Sequence, residues 1–211
     1  MNAKTNDTRQ HILDVGYQLV VAKGFTSVGL SELLKVADVP KGSFYHYFKS
    51  KEQFGEALIE DYFTRYLKMI KAHFSESDGS GCDRILSYFE RWMAIENGQC
   101  NANKCLVVKL SAEVSDLSDA MRIKLASGAS QVVKAIEECI QMGIEDGSIQ
   151  VTSAEQTAHL VYHQWIGASL LNKLYQDRSG LMRSFESTQS MLRKHSDHEL
   201  KTTKRSKDAS H

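Results

Sequence analysis

Apolar residues recur at spacings of three and four along almost the whole chain, and no strict alternation lasts long. That period belongs to amphipathic helices. With one proline, Pro40, in 211 residues, it predicts an all-α fold. A first helix is expected over residues 8–23, capped by Asp7 or Thr8, with Ile12, Val15, Leu19 and Ala22 inside and Gly24 ending it. Ser27 is placed to cap a short helix reaching Ala37, with Leu30, Leu33 and Leu34 inside. Residues 38–40 read as a turn and 41–48 as a second short helix. Ser50-Lys51-Glu52-Gln53 is a capping box that opens a long helix to about Phe74.

Residues 75–83, SESDGSGCD, read as a loop, and 96–103, ENGQCNAN, as a second break. Helices are expected over 83–96, 105–114, 118–145, about 153–175 and 178–194, with Gly147 breaking the chain between the third and fourth. From His195 the chain is polar and rich in Lys, Ser and Thr, the composition of a disordered tail. There is no internal repeat.

Composition narrows the class. Apolar residues are 42% and charged residues 25%, as in an ordinary globular chain of one or two small domains. No stretch of about 18 apolar residues predicts a membrane span. The polar start, MNAKTNDTRQ, has no apolar leader segment. Four cysteines without a C-x-x-C pair give neither a disulfide framework nor a zinc site. A reducing cytoplasm is the expected compartment, with no cofactor or metal. The 26 Lys/Arg balance 26 Asp/Glu, which excludes a uniformly basic, nucleic-acid-coating protein. The charge is uneven, however. Residues 1–51 carry seven basic against four acidic groups, and 52–192 carry 13 against 19. A basic block ahead of an acidic body suits a chain whose first part alone meets a polyanion.

The two short helices and their turn, about 27–48, form the helix-turn-helix pattern, whose second helix enters the major groove of DNA. Phe44 and Phe48, four apart, share one face and can anchor that helix. Lys41, Ser43, Tyr45, His46 and Tyr47 are left for the other faces, and Gly42 lets the backbone approach closely. Amines, hydroxyls and an imidazole are the groups that bond phosphates and base edges. Lys51, Thr26 and Ser27 stand where helix starts can hold phosphates.

The run TSVGLSELLKVADVPKGSFYHYFKSKEQF resembles the DNA-binding domain of the TetR family of repressors. The resemblance implies an N-terminal three-helix DNA-binding domain, residues 1–51. A helical effector and dimerisation domain, 52–194, and the tail, 195–211, follow. It assigns DNA contacts to Thr26, Ser27, Lys41, Gly42, Ser43, Tyr45, His46, Tyr47 and Lys51, and leaves Phe44 and Phe48 in the core. Gly29 departs from the pattern, early in the first short helix where a helix former is expected. The implied partners are a palindromic double-stranded operator and a second copy of the chain, paired through helices at about 153–175 and 178–194.

Residues 105–122, CLVVKLSAEVSDLSDAMR, and 165–173, WIGASLLNK, are similar to electrophile- and reactive-chlorine-sensing members of the family. That similarity puts the sensor thiol on Cys105 and a partner amine on Lys173. A small electrophile or oxidant is the implied inducer, and no enzymatic activity is expected. Read from its own surroundings, Cys105 has two meanings. It can be a small buried hydrophobe. It can also be a thiolate stabilised by a helix N-terminus with Lys104 and Lys109 near it, in which case it reacts with electrophiles. Cys82, in a Gly/Ser loop, is expected to be exposed. Cys100 is close enough in sequence to resolve an oxidised Cys105, and Cys139 belongs to the core. His159 and His163 have two-ligand metal spacing but no partnering ligand pattern. Trp92, Met93, Tyr162 and Trp165 can line an effector pocket or simply fill the core. Two other readings remain: a repressor induced by a reversibly bound ligand, and a thiol enzyme, for which no motif links a His base to Cys105.

Overall fold

Serine side chains start four of the helices by accepting a hydrogen bond from the third residue inside. Ser50 accepts from Gln53 N–H, Ser80 from Asp83, Ser118 from Met121 and Ser153 from Gln156. The computed structural model describes residues 3–193; the tail expected from 195 lies outside them. In order, α1 is Ala3–Lys23, α2 Leu30–Ala37, α3 Lys41–Tyr47, α4 Lys51–Glu76 and α5 Gly81–Met93. A small hairpin follows, β1 Ile95–Glu96 and β2 Gln99–Cys100, then a 3-10 turn over Asn101–Lys104. α6 is Leu106–Leu117, α7 Asp119–Glu145, α8 Ala154–Tyr175 and α9 Ser179–Leu192. The fold is all-α as expected.

The first three helices enclose Ile12, Leu13, Val20, Phe25, Val28, Leu33, Phe44 and Phe48. Phe54 of α4 closes that core, and the rings of Phe44, Phe48 and Phe54 lie 5.2–5.7 Å apart. α4 therefore belongs to both parts of the molecule. Its first turn seals the N-terminal core, and further along it packs extensively on α7. The body is a layered bundle in which α7 also packs on α5, α6 and α8, and α8 on α9.

Several local expectations need correction. α1 extends through Asp7 and Thr8, so neither caps it. Its fully buried residues are Ile12, Leu13, Gly16 and Val20; Val15 and Leu19 are half-buried against the same core, and only Ala22 of the expected stripe is exposed. The stripe is rotated because α1 meets α2 and α3 on one side and α4 on another. Ser27 does not cap α2. Phe25 and Val28 both turn inward, so Thr26 and Ser27 sit in the turn between them and Gly29 becomes the N-cap, in extended backbone. Val28 before that cap and Leu33 at the fourth helical position are both buried, the arrangement of a hydrophobic staple. The break at 96–103 contains the hairpin. Its turn residues Asn97 and Gly98 have φ of 53° and 75°, the backbone of a two-residue hairpin loop. Cys82 is buried, not exposed: α5 begins at Gly81, which lies so close to the Gly143 backbone that a Cβ would stand 2.3 Å from its nitrogen.

Candidate DNA-reading helix and sensor cavity

α3 sorts its side chains as its spacing requires. Phe44 and Phe48 are buried, and Lys41, Gly42, Tyr45 and His46 are exposed. Ser43 and Tyr47 are half-buried. Open space surrounds the missing side chain of Gly42. Tyr45 stands on edge against Phe44, with the Lys41 amine 5.8 Å from its ring centre. Asp38 ends α2 in left-handed backbone, its N–H bonding back to Leu34 and Lys35, and Pro40 caps α3. That turn sets the angle between the two short helices. Lys51 opens α4 with its amine 4.7 Å from the Phe25 ring centre and donating to the Thr26 carbonyl at 3.3 Å. Burial lowers its pKa, while Glu52 and Glu113 pull the other way. Thr26, Ser27 and Lys51 thus gather at one edge of the helix-turn-helix. Arg9, 5.5 Å from the Phe48 ring centre, adds a cation that sequence reasoning did not single out.

Cys105 is the N-cap of α6, as its place after the Asn-rich break suggested. Its thiol faces the backbone N–H groups of Val107 and Val108 and the hydroxyl of Tyr62, all of which favour thiolate. Burial outweighs them, however, and raises the thiol above its ordinary value. The expected lowering by Lys104 and Lys109 does not occur. Lys104 is turned to Asn101, at 2.7 Å, and to Glu96, at 3.5 Å.

Cys105 as a whole residue is 8% exposed, yet it lines a cavity of about 250 Å³. Three stacked tyrosines form one wall. Tyr17 and Tyr62 have ring centres 5.8 Å apart, and Tyr62 and Tyr66 5.4 Å apart. Tyr88 and Trp92 meet edge to face at 5.7 Å opposite, and the Tyr66 and Tyr88 hydroxyls share a hydrogen bond of 2.8 Å. Arg91, Glu96, Asn101 and Lys104 supply polar groups. Tyr17, Tyr62, Tyr66 and Met69 also line a neighbouring cleft of about 420 Å³. Burial pushes the Tyr17 hydroxyl up to about 12 and keeps Tyr62, Tyr66 and Tyr88 protonated, so these phenols act as neutral hydrogen-bond groups.

Of the four candidate pocket residues named from sequence, Trp92 lines the cavity. Trp165 and Tyr162 are buried and Met93 is half-buried. Trp165 stacks on Phe89 at 4.5 Å and donates to Thr188 Oγ. The tyrosine wall was missed. Its signal was present as Tyr62, Tyr66, Met69 and His73, spaced four, three and four along α4, an aromatic and polar stripe where a plain core would be aliphatic.

The Lys173 side chain meets that of Lys109, one turn after Cys105; it is not among the groups lining the cavity. Burial and the Lys173 amine together push Lys109 down to about 8. The neighbouring residue Asn172 is fixed to the 3-10 turn ahead of α6, donating to Asn103 Oδ1 at 3.0 Å. Cys100 is buried on β2 with its sulfur towards the Trp92 and Met93 carbonyls. Cys139 is in the core, as expected. His159 and His163 lie exposed on α8 with ring centres 5.7 Å apart. Among the described residues no group of three or more His, Cys, Asp or Glu could hold a metal ion. Among them, too, no helix is long and apolar enough to cross a membrane.

Comparison with known proteins agrees with this layout. Residues 12–58 match the family described as bacterial regulatory proteins, tetR family, and 81–188 match a tetracyclin repressor-like C-terminal domain. The chain is 40% identical over 194 residues to the HTH-type transcriptional repressor NemR of Escherichia coli K12, covering 91% of this chain and 94% of that one. It is 32% identical over 174 residues to the HTH-type transcriptional repressor DhaR of a Mycobacterium strain, covering 82% and 86%. Among solved structures, the reduced form of Escherichia coli NemR superposes with a TM-score of 0.81 at 39% identity, over 88% of this chain and 97% of that one.

Proposed function

The chain belongs to the TetR family of bacterial regulatory proteins, and from that membership we propose that it is a homodimeric repressor released from a palindromic operator when Cys105 is modified. α3 reads base edges with Tyr45, His46, Tyr47 and Ser43, while Thr26, Ser27, Lys41 and Lys51 hold phosphates and Gly42 admits the backbone. The inducer is a small electrophile or oxidant.

The observation that carries this reading is the position of one thiol. Cys105 caps the helix that starts the sensor segment, and its sulfur forms part of an aromatic cavity. A buried thiol with a raised pKa has little thiolate at neutral pH, so the cavity must supply the selectivity. A planar electrophile stacked on Tyr62 or Trp92 sits beside the sulfur, and proximity raises the reaction rate. Val107 N–H, Val108 N–H and the Tyr62 hydroxyl then stabilise the thiolate as it forms. An activated alkene takes the sulfur into a thioether, its carbanion collecting one proton. Hypochlorous acid reacts with the thiol to give sulfenyl chloride and water. Attack by the Lys173 amine on that chloride, which requires the amine to move towards the sulfur from its place beside Lys109, forms an S–N bond and releases HCl. The Lys109–Lys173 pair supports this last step, because Lys109, pushed down to about 8, can take up the proton.

A second reading, reversible induction by a non-covalent ligand, is favoured by the same cavity: four tyrosines and a tryptophan with a few polar groups suit such a ligand. One experiment separates the two. Fluorescence anisotropy at fixed salt follows binding to the duplex upstream of the protein's own gene, before and after N-ethylmaleimide or hypochlorite, with Cys105→Ser in parallel. Tight binding relieved only when Cys105 is present supports the thiol switch. Tight binding that neither reagent relieves removes it and leaves the reversible ligand.

A further inference from the structure

Thr26 is assigned above to a DNA phosphate, yet both of its donors already have a partner. Its N–H and its hydroxyl donate to one oxygen, Glu113 Oε2, each at 2.9 Å. Two donors converging on a single anionic oxygen is how a phosphate oxygen would be held. Glu113 also acts electrostatically on Lys51, whose amine bonds the Thr26 carbonyl. Gly24 leaves room for this carboxylate. It lies at φ +87°, and a Cβ there would fall 2.3 Å from Glu113 Oε1.

Glu113 comes from the sensor helix. It lies eight residues after Cys105 on α6, about 12 Å along the axis. The other end of this segment is tied to the DNA-binding unit as well, because the Tyr17 hydroxyl of α1 donates to the Lys104 carbonyl at 3.1 Å. α1 and the turn after it are therefore held at two points, Tyr17 at the Cys105 end of α6 and Gly24–Thr26 near its far end. The two attachments follow the same order along both chains, so each end of α6 is tied by a side chain to α1 or the turn after it.

We propose that Glu113 is an internal stand-in for a DNA phosphate, occupying Thr26 and opposing Lys51 while DNA is absent, and that operator binding must displace it. The proposal rests on the reading of Thr26 and Lys51 as phosphate ligands. Its cost to DNA binding has two parts: Thr26 must exchange one anionic acceptor for another, and a carboxylate remains beside the incoming phosphate. α6 sets how firmly the stand-in is seated, so the same helix that senses at its start inhibits near its end.

The test compares wild type, Glu113→Gln, Glu113→Ala and Thr26→Val full-length protein on the upstream duplex by anisotropy at fixed salt, with thermal melting to confirm folding. Both Glu113 variants should bind roughly 5- to 20-fold more tightly, within the usual range of coupling between sites. The gain from Glu113→Ala should shrink in the Thr26→Val background, because the Thr26 hydroxyl is no longer at stake. Weaker or unchanged binding by both Glu113 variants overturns the proposal, as does a gain of equal size in the Thr26→Val background, which would make Glu113 a mere surface charge. Thr26→Val alone reports on the underlying reading. A several-fold loss keeps Thr26 as a phosphate ligand whatever the Glu113 variants do, whereas unchanged affinity removes that role and the proposal with it.

Discussion

At Cys105 the competition between burial and helix-end hydrogen bonding has a measurable sign. Burial is the larger effect and raises the thiol, while Val107 N–H, Val108 N–H and the Tyr62 hydroxyl oppose it. The thiolate is the nucleophile, so alkylation of Cys105 by N-ethylmaleimide should accelerate about tenfold per pH unit with no plateau below the ordinary thiol range. Mass spectrometry of the Cys105 peptide over pH 6.5–9.5 would measure it. A plateau near neutral pH would mean that the helix end wins. Tyr62→Phe removes one group that favours thiolate and should slow the reaction several-fold at pH 7.5; acceleration would show that the ring governs access, not charge. The sequence placed Cys105 at a helix start correctly, because the Asn-rich break and the following apolar run are local signals. It could not give the thiol's burial. The residues that bury it, Tyr17, Tyr62, Tyr66 and Tyr88, come from three helices distant in sequence.

At the scale of one helix, α3 divides into residues that build the core and residues proposed to read DNA. Phe44 is fully buried against Phe48 and Phe54, whereas Tyr45 is 48% exposed. Phe44→Ala should cost about 3–5 kcal/mol and melt the N-terminal unit. Tyr45→Ala should change stability by less than about 1 kcal/mol. Its effect on DNA is different. A lost base contact costs about 1–3 kcal/mol, and a symmetric dimer loses it twice, so operator affinity should fall at least about thirtyfold. Circular-dichroism melts with parallel anisotropy titrations would separate the two, and full affinity in Tyr45→Ala would remove Tyr45 from the reading face. This helix was legible because its period and its aromatic pairing are contained in eight residues. The start of α2 was not. A serine ahead of an apolar helix looks like a cap, but Phe25 and Val28 both need burial, and satisfying them puts Ser27 in the turn and gives the cap to Gly29. Gly29, which looked out of place inside a helix, is well placed at its edge. Glu113 was invisible for a further reason: its partner Thr26 is 87 residues away, and nothing local distinguishes it from a solvated helix-face carboxylate.

Across the whole molecule, the proposed function requires two reading helices to reach successive major grooves about 34–36 Å apart, which would make the pairing of chains part of it. α8 carries a face that the described residues leave uncovered. Leu160, His163, Gly167, Leu170, Leu171 and Leu174 recur at helical spacing and are all exposed, with Leu160 at 60% and Leu174 at 69%. Met182 of α9 is exposed too, at 56%. Gly167 has no neighbour within 4 Å of where its Cβ would be, so a second helix can approach closely at the middle of the stripe. A strip of leucines on a helix that elsewhere buries Val161, Trp165 and Ala168 is best explained by a partner that covers it. If α8 is the centre of the dimer, Leu174→Asp places a carboxylate in an apolar interface twice over by symmetry, each costing several kcal/mol if unpaired. Analytical ultracentrifugation at micromolar concentration should then show a monomer whose helical circular dichroism is unchanged, and operator affinity should collapse although α3 is intact. A Leu174→Asp protein that sediments as a dimer and binds DNA normally would move the interface off α8. The spacing between the reading helices would then have to be set by another face.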